Sequence, residues 1–96
     1  MELKLTSPAF VNAMQIPSQY TCDGLNVNPH LVIHAVPENA KSLALVMEDP
    51  DAPNGLWVHW VVWDIPTETK QIREHTVPFG SSEGINSWRK SGYGGP

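Results

Sequence analysis

Two aspartates and one histidine have the types and spacing that could do chemistry. Segment 49–53, with the sequence DPDAP, places two carboxylates and two prolines directly after an apolar stretch. Proline fixes φ and Asp hydrogen-bonds its own backbone, so we predict a stiff turn here. His59 follows six residues beyond Pro53. If the flanking segments pair as a hairpin, Asp49, Asp51 and His59 converge on one polar pocket with aromatic walls.

Each of these residues also has an ordinary structural role. An Asp-Pro-Asp run is most often a solvated turn, and a lone His on a strand is most often a hydrogen-bonded core residue. A binding role is favoured over these structural roles because the two acids and His59 are expected to meet beside Trp57 and Trp60. An EF-hand loop is excluded, since Pro53 and Trp60 occupy positions that need oxygen ligands. No nucleophile-elbow, zinc-binding or cofactor motif appears, and we expect no catalytic residue, metal or cofactor.

Composition and length bound the fold. The chain has 96 residues with 41% hydrophobic and 17% charged residues, which indicates a single globular domain over 1–96. Nine Pro and seven Gly break up long helices and favour short strands joined by turns. We therefore predict a mainly β protein, an antiparallel β-sandwich.

Charge and targeting signals narrow the partners. The net charge is −4 and the six Lys and Arg are scattered, so nucleic acid is not expected as a partner. The longest apolar run, around 61–63, is too short to cross a membrane, and no signal peptide is evident. A single cysteine, Cys22, excludes an internal disulfide and favours a cytoplasmic location.

Apolar runs predict the strands. Candidates are 3–6, 31–34, 42–47 and 57–65, with 42–47 covered on both faces and 57–65 central and paired with 42–48. Alternation along 57–65 places His59 and Ile65 on one face and Trp60 and Val62 on the other. Residues 67–78 are compatible with a helical turn or an edge strand, and the tail from Gly80 is expected to be loop.

The motifs resemble those of the phosphatidylethanolamine-binding protein family. Its first signature is matched by SLALVMEDPDAP at 42–53 and WVHWVV at 57–62. The branch that the sequence resembles most is that of the bacterial and archaeal Raf-kinase-inhibitor-like proteins. The segment YTCDG at 20–24 also follows the sequence pattern of that branch. GYGGP at 92–96 resembles the opening of the second signature. This resemblance implies a β-sandwich of that family's type, with a small anion-binding pocket near one end.

The family's binding residues carry over by motif position. The resemblance implies that Asp49, Asp51, Pro53 and His59 line the pocket and that the loop of Gly94, Gly95 and Pro96 closes one side. An imidazolium would hydrogen-bond phosphate or a similar oxyanion, while the carboxylates would receive the ammonium of an ethanolamine-like headgroup. Members of the family are generally regarded as binders and regulators, so we expect no enzyme.

The sequence also departs from the family pattern. The second signature normally continues into a strand that supplies another pocket histidine, whereas this chain stops at Pro96. His34 stands where the branch often has Trp. The resemblance therefore implies a fold that is incomplete at its C-terminus, with an unpaired sheet edge or an uncovered face at Trp60 and Val62. Such surfaces invite a protein partner or a homodimer.

Three functions stay open at this point. The first is a small-anion-binding module with a regulatory role, such as inhibition of a kinase or another signalling partner. The second is a hydrolase that uses Asp49, Asp51 and His59 in acid–base or metal-assisted chemistry. The third is a purely protein-binding module with a vestigial pocket.

Overall fold

Two three-stranded antiparallel sheets make up the fold. The structure is a computed structural model that describes residues 2–53 and 55–96. The first sheet has the order β1-β2-β5 and contains β1 (Lys4–Thr6), β2 (Leu31–His34) and β5 (Gln71–Ile72). The second has the order β3-β4-β6 and contains β3 (Leu43–Ala52), β4 (Gly55–Ile65) and β6 (Ser82–Glu83). A 3-10 turn, Ser18–Tyr20, is the only helical element among the described residues. The described residues contain no helix that is long and apolar enough to cross a membrane.

The core lies between the two sheets, which confirms the predicted mainly β sandwich. Trp60 and Val62 of β4 are 1% and 0% exposed. They pack with Ile72 of the first sheet, and Leu31 and Ile33 lie at the margin of the same cluster. The expectation of an uncovered face at Trp60 and Val62 is therefore wrong, because the first sheet covers it. The outer edge of β3, in contrast, has no strand partner among the described residues.

Strands β3 and β4 form the long hairpin that the apolar runs predict. Val46 pairs with Val61 and Asp49 pairs with Trp57, and β4 is central as expected. The prediction that residues 42–47 are covered on both faces is wrong. Burial alternates along β3, and Val46 is 52% exposed. An edge strand against one core has a solvent face, and β3 shows the period of two that this requires.

A backbone irregularity near the end of β4 changes which face Ile65 takes. Asp64 adopts a φ of 56°, and the pairing with β3 shifts between Leu43 and Leu45. An extra residue in one strand reverses the alternation beyond it. Ile65 is therefore 1% exposed and shares the core with Trp60, instead of the face of His59 that strict alternation predicts.

The DPDAP segment is not the turn that the sequence predicts. Strand β3 continues through Asp49 and Asp51 to Ala52, which pairs with Gly55. The chain reverses only after Ala52, and the pairing is irregular between Asp49 and Ala52. Both carboxylates therefore project from the end of a strand.

The segments after β4 contain more β structure than expected. Residues 67–78 include the short edge strand β5, which resolves the ambiguity between strand and helical turn. The tail from Gly80, predicted as loop, contributes β6 to the edge of the second sheet. A further bridge joins Ile85 to Ser91 and closes a small polar loop between them.

Candidate functional site

His59 occupies a bulge in the centre of the β-hairpin. Met47 pairs with Trp60 and Glu48 pairs with Val58, so His59 is the extra residue on β4. Its side chain is 6% exposed. The ring Nδ1 donates a hydrogen bond to the Gly94 carbonyl at 2.7 Å, and the Gly94 N–H donates to the His59 carbonyl at 2.9 Å. This reciprocal pair fixes the imidazole to the C-terminal segment.

The other ring nitrogen is the atom of His59 that remains free for a ligand. Within residues 2–53 and 55–96, every fully buried side-chain nitrogen or oxygen has a hydrogen-bond partner. Among the described residues the hydrogen bond of this ring is the one from Nδ1, so Nε2 has no partner there and is not fully buried. Because Nδ1 carries a proton, Nε2 accepts in the neutral ring and donates in the imidazolium. The imidazolium thus presents a positioned donor to an oxyanion.

Trp88 forms the aromatic wall beside this histidine. Its ring centroid lies 5.4 Å from that of His59 and 5.2 Å from that of Trp57, with an edge-to-face angle of 86° to the latter. The predicted wall is therefore half right. Trp57 contributes, whereas Trp60 is buried in the core. Sequence reasoning missed Trp88, because it reaches the site through a long-range contact that no local pattern reports.

A polar loop around Asn86 positions Trp88. The amide nitrogen of Asn86 donates to the Gly92 carbonyl at 3.0 Å, and its amide oxygen accepts from the backbone N–H of Trp88 at 2.9 Å. Ser87 locks the loop onto β4, since its hydroxyl accepts from the Val58 N–H at 2.8 Å. The sequence carried one signal of this arrangement, an Asn-Ser-Trp run between Gly84 and Gly92, which are glycines on either side of a tight loop.

The predicted loop of Gly94, Gly95 and Pro96 is tied down on both sides. The Gly95 N–H donates to Asn26 Oδ1 at 2.7 Å, and the Pro96 carbonyl accepts from the Cys22 N–H at 2.8 Å. A side chain at Gly94 would lie 2.6 Å from the Trp88 ring, so only glycine fits. The N–H groups of both glycines are already used inside the protein, so these residues act here as supports for His59.

Tyr93 anchors the same segment one residue earlier. Its hydroxyl donates to the Tyr20 carbonyl at 2.6 Å, and its ring meets Trp60 edge to face at 5.6 Å. Burial raises the pKa of Tyr93 to about 12. The hydroxyl therefore keeps its proton and its hydrogen bond throughout the neutral range.

The acidic half of the predicted site is more open. Asp49 is half-buried, whereas Asp51 and Pro53 are exposed. One carboxylate oxygen of Asp49 accepts from the Asp51 N–H at 2.9 Å, which is a local bond within the strand end. In the described part of the chain neither carboxylate hydrogen-bonds His59, and no three His, Cys, Asp or Glu side chains gather as a metal-binding group.

Comparison with known proteins gives a consistent result. The sequence model of the phosphatidylethanolamine-binding protein family matches residues 6–96. A UPF0098 protein of Aquifex aeolicus is 46% identical over 98 residues, covering 98% of this chain and 57% of the relative. A UPF0098 protein of Methanothermobacter thermautotrophicus is 43% identical over 99 residues, covering 98% of this chain and 66% of the relative.

Two crystal structures share the fold. A phosphatidylethanolamine-binding protein homologue from Chlamydia trachomatis superposes with a TM-score of 0.92 at 37% identity, over 98% of this chain and 64% of that one. Escherichia coli YbcL, described as a member of the mammalian family, gives a TM-score of 0.92 at 30% identity, over 100% of this chain and 66% of that one. The chain thus spans about 57–66% of the length of these four proteins.

Proposed function

Because the chain belongs to the phosphatidylethanolamine-binding protein family, we propose that it binds a small anionic ligand at His59. Phosphate or a phosphoethanolamine-like headgroup is the class of ligand that suits the site. The observation that carries the proposal is the orientation of the imidazole, whose Nδ1 is held by Gly94 while Nε2 has no hydrogen-bond partner among the described residues and is not fully buried. An imidazolium in this position forms a charge-assisted hydrogen bond to an oxyanion.

The remaining predicted residues have different roles in this proposal. Gly94, Gly95 and Pro96 hold the imidazole in place from behind. Asp49 and Asp51, at the exposed end of β3, accept the ammonium of a zwitterionic headgroup. Pro53 lies at the rim of the same strand end and restricts the backbone there. The ligand is then recognised in two halves, one at a fixed donor and one at solvated carboxylates.

We propose a regulatory role, in which the chain binds its ligand without transforming it. General acid–base catalysis by this histidine would be supported by a carboxylate that orients it, as in a catalytic triad. Here the Gly94 carbonyl holds Nδ1, and Asp49 is bonded to the backbone of Asp51 instead. This arrangement favours a binder over a hydrolase. Inhibition of a kinase or another signalling partner is the regulatory activity that we propose, with ligand occupancy controlling access to the partner.

Calorimetric titration with phosphate and with phosphoethanolamine tests the binding proposal. His59→Ala removes the only donor assigned to the anion, so we expect affinity for both ligands to fall by at least about tenfold. His34→Ala is the matched control, because His34 is an exposed histidine of β2 that bonds Thr6. Equal phosphate affinity in His59→Ala and in the unmodified protein would refute the assignment.

A further inference from the structure

A groove separate from His59 lies beside the segment that precedes Gly94. It has a volume of about 440 Å³, and Asn28, Val77, Glu83, Gly92 and Tyr93 are among the residues that line it. Glu83 is its only carboxylate, and no Lys or Arg belongs to the described residues that line it. The groove therefore combines one carboxylate, the imidazole of His75, an aromatic ring and a mixture of polar and apolar side chains.

The carboxylate of Glu83 is oriented from the core. Trp60 is 1% exposed, and its indole N–H donates to Glu83 Oε2 at 2.6 Å. Such a charge-assisted bond fixes the carboxylate and leaves Oε1 as its unshared oxygen. Gly92 stands beside it with a φ of 104°, and a side chain there would lie 3.5 Å from Oε2. The positive φ favours glycine at this position, and the distance is that of an ordinary van der Waals contact.

Asn28, which also lines the groove, carries a neutral acceptor. Asn28 is 5% exposed, and its amide nitrogen donates to the Arg73 carbonyl at 3.1 Å and more weakly to the Pro29 carbonyl at 3.4 Å. These bonds fix the orientation of the amide group, and its oxygen has no donor among the described residues. Every fully buried side-chain nitrogen or oxygen of the described residues does have a partner. The Asn28 amide oxygen is therefore not fully buried, and in a residue that lines the groove it is a candidate acceptor.

We propose that this groove binds an alkylammonium or methylated ammonium group, with Glu83 as its counter-ion, Asn28 as a further acceptor and Tyr93 as an aromatic wall. Ammonium groups are attracted to the faces of aromatic rings and to carboxylates. A guanidinium that bound Glu83 through both oxygens would share Oε2 with the Trp60 indole, whereas an ammonium group needs only one oxygen. The proposal concerns a site distinct from His59 and does not depend on anion binding there.

The Trp60 indole proton is a direct reporter of this site, since it is bonded to Glu83. Titration of the protein with tetramethylammonium chloride and with ethylammonium chloride, followed by proton–nitrogen NMR, is expected to shift that indole resonance and the amides of Gly92 and Tyr93 in a saturable way. tert-Butanol is the neutral control of similar shape and is expected to cause no saturable shift. Equal shifts with tert-butanol would show a merely apolar groove and would overturn the proposal.

Glu83→Gln provides the decisive variant, because the amide oxygen of Gln can still accept from Trp60 while the charge is removed. We expect ammonium affinity to fall by about tenfold or more, with the indole resonance still dispersed as evidence of folding. Glu38→Gln is the matched control at an exposed turn outside the groove. Unchanged ammonium affinity in Glu83→Gln would overturn the proposal. Phosphate titration of the same variant reports the His59 site separately, so failure at one site is distinguished from failure at the other.

Discussion

The two halves of the proposed anion site are built in opposite ways. The histidine half is enclosed, with the imidazole of His59 bonded to Gly94, and Gly95 bonded in turn to Asn26. The carboxylate half is solvated, with Asp51 exposed and Asp49 bonded only to the neighbouring backbone. Sequence proximity places 49–53 and His59 in one motif, yet the atoms that hold the histidine come from residues more than 30 positions later in the chain.

The difference shows which half is organised before a ligand arrives. A group whose position is fixed by the fold costs little additional ordering when it binds, whereas an exposed carboxylate must be ordered by the ligand itself. In the proposed site His59 is therefore the fixed donor, and Asp49 and Asp51 are the adjustable charges. Substitutions in the enclosed half are expected to affect stability and binding together, and those in the open half to affect binding alone.

The largest stability effect is expected from Gly95→Ala. A side chain at this position would collide with the Tyr20 carbonyl and lie 2.8 Å from Asn26 Oδ1, and both are held in place by the loop. Overpacking against backbone of this kind is expected to lower the free energy of unfolding by about 2 kcal/mol or more. Urea denaturation measures this change. A loss below about 0.5 kcal/mol would show that the enclosed half is not rigid.

A smaller effect is expected from Tyr93→Phe. The substitution removes the hydrogen bond to the Tyr20 carbonyl and leaves the ring packing unchanged, so the expected loss is about 1 kcal/mol at neutral pH. Urea denaturation at pH 7 again provides the measurement. An unchanged midpoint would mean that water replaces the hydroxyl without cost and that this anchor does not hold the loop.

Tyr93 also predicts a pH dependence. Its pKa in the folded protein is about 12 against an ordinary value of 10.0, so the folded state holds the proton more tightly than the unfolded state. The associated stability is complete below about pH 10 and is lost as the pH rises towards 12. We expect the melting temperature to fall more steeply over this interval in the unmodified protein than in Tyr93→Phe. Parallel pH profiles would contradict the assignment to Tyr93.

The smallest stability effect is expected from Asp51→Ala. The side chain is exposed at the end of β3, and its removal is expected to change the free energy of unfolding by less than about 0.5 kcal/mol. The same variant is expected to weaken phosphoethanolamine more than inorganic phosphate, because only the former carries an ammonium group. Calorimetry with both ligands distinguishes the two effects, and equal weakening would remove the carboxylate from ammonium recognition.

Local pattern predicted the sheet elements well and the site only in part. Apolar runs located β2, β3 and β4, since burial of one strand face leaves a signature within a few residues. The bulges at His59 and Asp64 could not be predicted, because they depend on the register against a partner strand. The same limit explains why Ile65 was predicted on the wrong face. It also explains why the predicted strand 42–47 stops short of the observed end of β3 at Ala52.

The supports of His59 were hidden for a related reason. Trp88 and Asn86 carry no recognisable motif, and they reach β4 across about 30 residues of intervening chain. Gly94 was identified through the family resemblance, which implied a pocket wall. The structure adds that its carbonyl holds the imidazole, a role that only a tertiary contact reveals.

The seam between residues 20–26 and 93–96 has a consequence for the order of folding. Its hydrogen bonds join residues separated by 73 and 69 positions, from Tyr93 to Tyr20 and from Gly95 to Asn26. Contacts between residues so far apart in the chain form only after the entropy cost of closing a large loop has been met. The β3–β4 hairpin, in contrast, joins residues that are close in the chain. We therefore expect the hairpin that contains His59 to form early in folding. The imidazole is expected to take its final orientation only when this seam forms, later in folding.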